Sequence, residues 1–265
     1  MRHPRRLRPP AARRAHRGRE PPLRLWPLSA LPEVAPGDDL AGMLAGRAAA
    51  EGMVPGDIMM VAHKVVSKAE GRLVRLAEVD PGPAARALAA ETGKNPELCE
   101  LILGESRRIL RRRRSLLICE THHGFVCANA GIDSSNAPEG SVVLLPVDPD
   151  ASARRLQARV AAAVGGRVGM VVIDTHGRPF RRGLVNVAIG VAGFRPVIDH
   201  RGERDRSGRV LTATDQALAD ELAAAAGIYL GKDAGTPAVV ASGVPTEPAP
   251  GGPLARDAEH DLFRT

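Results

Sequence analysis

Asp133 and Asp174 are the side chains of this sequence whose type and setting most invite chemistry. The first lies in Glu120-Thr-His-His-Gly-Phe-Val-Cys-Ala-Asn-Ala-Gly-Ile-Asp-Ser-Ser-Asn136, where small and polar residues crowd a loop that follows the apolar segment 125–128. The second, with Thr175 beside it, closes the apolar run Val168-Gly-Met-Val-Val-Ile173. Hard oxygen donors suit magnesium or manganese, ions that bridge phosphate oxygens and offset the charge developing in phosphoryl transfer. Asn136 adds a neutral donor and acceptor near the first carboxylate. The competing assignment is that both acids are turn and cap residues, the commonest job of Asp after a strand, and on residue type alone that assignment comes first.

Other candidates are weaker. Gly227-Ile-Tyr-Leu-Gly231-Lys232-Asp233 is one residue short of a Walker phosphate loop and carries Asp where Ser or Thr must reach magnesium. The segment 230–237 either brings glycine backbone close to phosphates or is a surface turn. His122 and His123 are adjacent, and in an extended segment they point to opposite sides and cannot share an ion. His63 and His176 are each isolated, as phosphate donors or as partly exposed loop residues. Arg107, Arg108 and Arg111 to Arg114 are expected at a solvated helix end, favoured there by the macrodipole; a clamp for an acidic substrate is the other use of such a run.

These groups need a scaffold. Spacing predicts helices over 40–50, capped by Asp38 or Asp39, and over 83–92, 96–110, 151–164 and 214–226. Strands are expected at 57–62, 116–119, 142–145, 168–173 and 238–241, with an apolar segment at 187–193. Helices and strands mix throughout, so the class is α/β, in the mixed α+β sense. The folded part is expected over 25–243, with an Arg- and Pro-rich disordered tail over 1–24 and a flexible Pro- and Gly-rich end over 244–265.

The 265 residues are 44% hydrophobic, enough to bury a sizeable core. A formal charge of +7 suggests a polyanionic partner until the charges are located. Nine arginines and one acid give residues 1–24 a charge of +8 and leave the rest at −1. A near-neutral body argues against a folded nucleic-acid reader, which needs clustered cations, and one Trp, one Tyr and four Phe supply no stacking platform. No apolar stretch is long enough to span a membrane and no signal-peptide core is present, so the expectation is a soluble cytoplasmic protein. Cys99, Cys119 and Cys127, an odd number without paired spacing, read as buried thiols.

Taken together, several motifs in chain order resemble the coenzyme F-420:L-glutamate ligase (F-420-0:gamma-glutamyl ligase) family over about residues 25–243. They are Leu31-Pro-Glu33, Pro36-Gly-Asp-Asp39, Lys64-Val-Val-Ser-Lys-Ala-Glu-Gly-Arg72, the run from Glu120 to Asn136, Asp174-Thr175 with Gly177-Arg178, Val187-Ala-Ile-Gly-Val-Ala-Gly193 and Ala219-Asp-Glu-Leu-Ala223. The His-His-Gly-Phe-Val-Cys-Ala-Asn-Ala-Gly segment is the most specific of them. The resemblance implies a GTP-dependent ligase, in its single-domain form, that joins L-glutamate to the deazaflavin coenzyme F-420-0 through an acyl phosphate. It also implies a magnesium or manganese ion, a monovalent cation and a homodimer. By similarity, Asp133 and Asp174 would hold one metal, Thr175 a second, and Asp215 would be a further ligand. Ala30, Leu31, Pro32, Glu33, Lys68 and Asn136 match nucleotide contacts, and Gly231 and Lys232 lie in a loop that would join them. His63 belongs with the nucleotide set, although many relatives carry a small hydroxyl residue there. Asn186 replaces a residue that is often Asp or Gly. These departures keep two other readings in play, a non-catalytic nucleotide- or coenzyme-binding homologue and an amide ligase for another small carboxylate.

Overall fold

The computed structural model describes residues 22–28, 31–231, 235–261 and 263. Ala30, Lys232 and residues 1–21 of the arginine-rich tail therefore lie outside the described residues. In chain order the elements begin with β1 (Arg24–Pro27), α1 (Leu40–Ala50), β2 (Ile58–Ala62), α2 (His63–Ala69) and β3 (Leu73–Arg75). Next are α3 (Pro83–Thr92), α4 (Pro96–Gly104), β4 (Ser106–Arg113), β5 (Leu116–Thr121), β6 (Val126–Ala128), β7 (Ser141–Val143) and α5 (Pro149–Val164). The chain ends with β8 (Gly169–Gly177), β9 (Leu184–Ala192), β10 (Ile198–Asp199), β11 (Asp215–Gln216), α6 (Leu218–Ala226) and β12 (Ala238–Ser242). The fold is mixed α/β, as expected.

A five-stranded sheet in the order β1-β12-β2-β8-β9 forms the centre, with β2 and β8 parallel and the other neighbours antiparallel. Its strands are buried on both faces, which is why they read as continuous apolar runs rather than alternating ones. Met59, Val61, Met170 and Val172 pack into the cluster containing Leu44 of α1 and Leu156 of α5. Ile58, Met60, Val171 and Ile173 point the other way, toward Leu218 and Leu222 of α6. The edge strand β9 is kept from open pairing because its outward amides donate to carboxylates, Val191 N to Asp150 Oδ1 at 2.8 Å and Ala188 N to Asp220 Oδ1 at 2.9 Å. A third cluster, with Leu88, Cys99, Ile102, Leu117, Cys119 and Val142, joins α3 and α4 to the β4-β5-β6 sheet and the β3-β7 pair.

Several boundaries differ from expectation for local reasons. The helix predicted over 96–110 stops at Gly104, and the arginine run lies on β4, where Ile109 pairs with Cys119 and turns inward. The arginines are thus on a hairpin strand, with Arg112 on Glu91 at 2.7 Å and Arg108 on Glu120 at 2.8 Å, and do not form a helix terminus. The helix predicted from 214 begins at Leu218, because Asp215 and Gln216 pair with β10. Strand β8 runs past Ile173 to Gly177, so Asp174 and Thr175 sit within a strand, paired to Val187 and Asn186. Residues expected to be a loose end pack on the body: Arg195 N donates to Glu247 O at 3.1 Å, and Leu254 joins the α6 cluster. Among the described residues, no helix is long and apolar enough to cross a membrane.

Candidate nucleotide and metal site

The parallel pairing of β2 and β8 builds the site. Its last register pair is Ala62 with Ile173, so the next residues along, His63 and Asp174, emerge side by side at the carboxyl ends of the two strands. Crevices at that end of parallel strands are where open α/β sheets bind ligands. Helix α2 starts at once from β2, and its 3.6-residue period puts Lys64 and Lys68 on one face. Asp133 arrives from the other part of the molecule, held by reciprocal backbone bonds to Val143 at 3.1 and 2.9 Å.

A cavity of about 490 Å³ opens here, and it is lined by Leu31, Pro32, Glu33, His63, Lys68, Asp133, Asn136, Asp174, Thr175 and Gly231. Apart from Ala30 and Lys232, which lie outside the described residues, the cavity gathers every residue that the family likeness assigned to metal or nucleotide but one. Asp215 is the exception. It is not among the cavity residues; β11 places it 3.9 Å from Arg201 Nε, in a small β-ribbon with β10. The likeness that nominated it concerned sequence position, and here the two-residue pairing with β10 directs it to a surface ion pair.

Each carboxylate is held ionised by its own neighbours. Burial works against the charge on Asp174, but the imidazoles of His63 and His176 outweigh it and hold the carboxyl well below the usual carboxylate range. His176 Nε2 bonds Asp174 Oδ2 at 3.0 Å. His63 Nε2 stands 3.1 Å from Oδ1 yet off the line of a hydrogen bond, so it has no hydrogen-bond partner. For Asp133, burial is again the opposing influence, and Lys64 with Ser135 holds the carboxyl below its ordinary value. Lys64 Nζ lies 2.6 Å from Asp133 Oδ2, and Ser135 donates to the same carboxylate through its amide at 2.7 Å and its hydroxyl at 2.9 Å. Lys68, only 8% exposed, pairs with the largely exposed Glu33 at 2.5 Å.

Sequence reasoning missed Lys64 as a cavity residue and marked Asn186 only as a departure from the family pattern, and both line the cavity. Lys64 was legible in principle from its four-residue offset to Lys68, but only once a helix is assigned to 63–69. Asn186 is brought in by cross-strand pairing, where it accepts the Thr175 hydroxyl at 2.8 Å. His122 and His123 find separate backbone partners, Gly104 O at 2.8 Å and Pro146 O at 3.0 Å, and build no metal site.

The donor chemistry fits a hard divalent cation: two ionised carboxylates, a hydroxyl and an amide face one cavity with two ammonium groups. Among the described residues, no group of three His, Cys, Asp or Glu side chains encloses an ion by itself. That suits magnesium-type sites, which use one or two carboxylates and take their remaining oxygens from water and substrate phosphates.

Comparison with known proteins settles the kinship. The family model described as F420-0:Gamma-glutamyl ligase matches residues 29–243. The chain belongs to that family. It is 47% identical over 251 residues to coenzyme F420:L-glutamate ligase of Methanopyrus kandleri, covering 92% of this chain and 98% of that one. The enzyme of the same name from Methanothermobacter thermautotrophicus is 47% identical over 241 residues, 88% of this chain and 96% of its own. That of Halobacterium salinarum is 44% identical over 225 residues, 82% and 86% respectively. The match to the F420-0:gamma-glutamyl ligase family contains β2, β8, β9 and β12 of the central sheet and every described residue of the cavity.

Proposed function

We propose that this protein is a GTP-dependent ligase that adds L-glutamate to the deazaflavin coenzyme F-420-0, forming first an amide and then gamma-glutamyl links. The observation that carries the reading is the meeting of Asp133, Asp174, Lys64 and Lys68 around one cavity in a chain of this family.

A carboxylate is a poor electrophile and must be activated. Its oxygen attacks the γ-phosphorus of GTP, the bond to the β-phosphate oxygen breaks, and GDP leaves with the electron pair. The glutamate amine then attacks the acyl carbon, inorganic phosphate departs, and the nitrogen loses a proton as the amide forms. Little covalent help from the protein is needed; positioning and charge compensation dominate. Asp133 and Asp174 would hold one divalent metal and Thr175 would help hold a second, and such ions when bound offset phosphate charge as Lewis acids. Lys68, buried beside Glu33, supplies a fixed positive charge for the polyphosphate, and Lys64 keeps Asp133 ionised and oriented.

Activation by phosphorylation leaves an isotopic trace. With F-420-0 labelled by ¹⁸O in its reacting carboxylate, one labelled oxygen is expected in the inorganic phosphate released for each amide formed. Phosphate free of label, with product still forming, would rule out the acyl phosphate. Binding of nucleotide or coenzyme without any turnover would instead support a non-catalytic homologue.

A further inference from the structure

His63 has a place in the cavity that an ordinary core histidine would not have. It is 2% exposed, it lines the cavity, and its Nε2 has no hydrogen-bond partner although Asp174 Oδ1 is only 3.1 Å away. A buried polar atom left in that condition is expensive unless something arrives to satisfy it. The other ring nitrogen is accounted for, since Nδ1 lies 3.3 Å from the hydroxyl of the fully buried Ser67, one helical turn along α2.

In the tautomer with its proton on Nδ1, directed at Ser67, the Nε2 lone pair faces the cavity beside an ionised carboxylate oxygen. Two electron-rich atoms held at this distance need a positive charge between them, which a proton supplies in the His63–Asp174 ion pair and a metal ion supplies when it takes that place. Adjacent donors of an octahedral metal site with bonds of about 2.1 Å stand roughly 3 Å apart, which matches the His63–Asp174 separation. A hydrogen-bonded partner on the far ring nitrogen is also the usual arrangement of a ligating histidine. His176 has a different position: it bonds the other oxygen of Asp174 and is absent from the cavity lining. It supports the carboxylate from behind.

We propose that His63 Nε2 is a direct ligand of the divalent metal, sharing with Asp174 one edge of its coordination sphere; as the side chains stand, no further carboxylate among the described residues closes on the same point, so Asp133 must draw in as the ion binds, with water and phosphate oxygens completing the sphere. This rests on the metal-dependent reading above and moves His63 from the nucleotide contacts, where sequence likeness placed it, to the metal. A nitrogen donor among oxygens biases the site toward manganese and cobalt over magnesium, since borderline ions gain more from imidazole.

The test uses the metal-free full chain with Mn(II), alone and with GDP, and pulsed electron paramagnetic resonance of the bound ion. The expected spectrum carries ¹⁴N modulation that converts to ¹⁵N when histidine is isotopically labelled. It should vanish in His63→Ser and persist in His176→Asn. Mn(II) affinity in His63→Ser should fall by about 10-fold or more while Mg(II) affinity changes much less. The wild-type spectrum decides even if the variant does not fold. Bound manganese without histidine coupling, or with coupling that survives His63→Ser, overturns the ligand role and leaves the metal site standing. Failure of manganese to bind with or without GDP overturns both.

Discussion

Lys64 Nζ and Asp133 Oδ2 meet at 2.6 Å, tying the first turn of α2 to the loop that precedes β7. Because the Asp133 carboxyl is held below its ordinary value of 3.8, the pair stabilises the fold fully above that pH and the contribution is lost as pH falls through the depressed folded value. Lys64→Met should therefore lower the urea midpoint near pH 7, and its deficit relative to wild type should shrink below about pH 4. Asp133 is 39% exposed, so solvent screening limits the effect to about 1 kcal/mol or less. A deficit that stays constant from pH 7 to pH 3 would show that the ion pair is not its source.

Lys68 should matter for nucleotide more than for folding. A charge-assisted bond from a buried ammonium to phosphate is worth about 1.5–3 kcal/mol, so Lys68→Ala should weaken GDP binding by roughly 10- to 100-fold. Calorimetric titration reads this directly. An unchanged dissociation constant would remove Lys68 from the phosphate site.

The scaffold makes its own demand at Gly190, where β9 passes under the start of α5. A Cβ there would lie 2.3 Å from Pro149 O, and backbone cannot move aside as a side chain can. Gly190→Ala is expected to destabilise by about 1–3 kcal/mol, seen as a fall of several degrees in melting temperature. A melting temperature equal to wild type would mean that the helix is not packed so closely on the sheet.

The three thiols should be silent in the native protein. Burial raises all of them, and Cys127, which also feels the charge of Asp174, is pushed up to about 12. Ellman's reagent at pH 8 should titrate essentially none before unfolding and three after it. Fast reaction of one native thiol would indicate local opening near β6.

What could be read from the sequence followed the physics of each signal. Apolar runs such as 168–173 announced buried strands, Asp39 marked the start of the helix at 40–50, and spacing gave the helix at 83–92 that the structure keeps. The arginine run misled because its charges suggest a solvated helix end, whereas Ile109 is held by a cross-strand partner that composition does not reveal. Asp133 and Asp174 were recognisable as candidates, but their convergence depends on the parallel register of β2 with β8 and on the bridge from Asp133 to Val143. Long-range pairings of that kind leave no local trace. The same holds for His63, whose position beside Asp174 follows from register alone.

Ligation should require the two carboxylates together. The decisive measurement follows glutamylated deazaflavin by mass spectrometry, together with GDP released, for wild type, Asp133→Asn and Asp174→Asn. Loss of metal-bound charge worth several kcal/mol should reduce both products at least about 100-fold in either variant, with circular dichroism unchanged. In the wild type, GDP should appear only when glutamate and F-420-0 are both present, one for each glutamate added. Turnover near the wild-type rate in either folded variant, or GDP release that ignores glutamate, would contradict the proposed ligation.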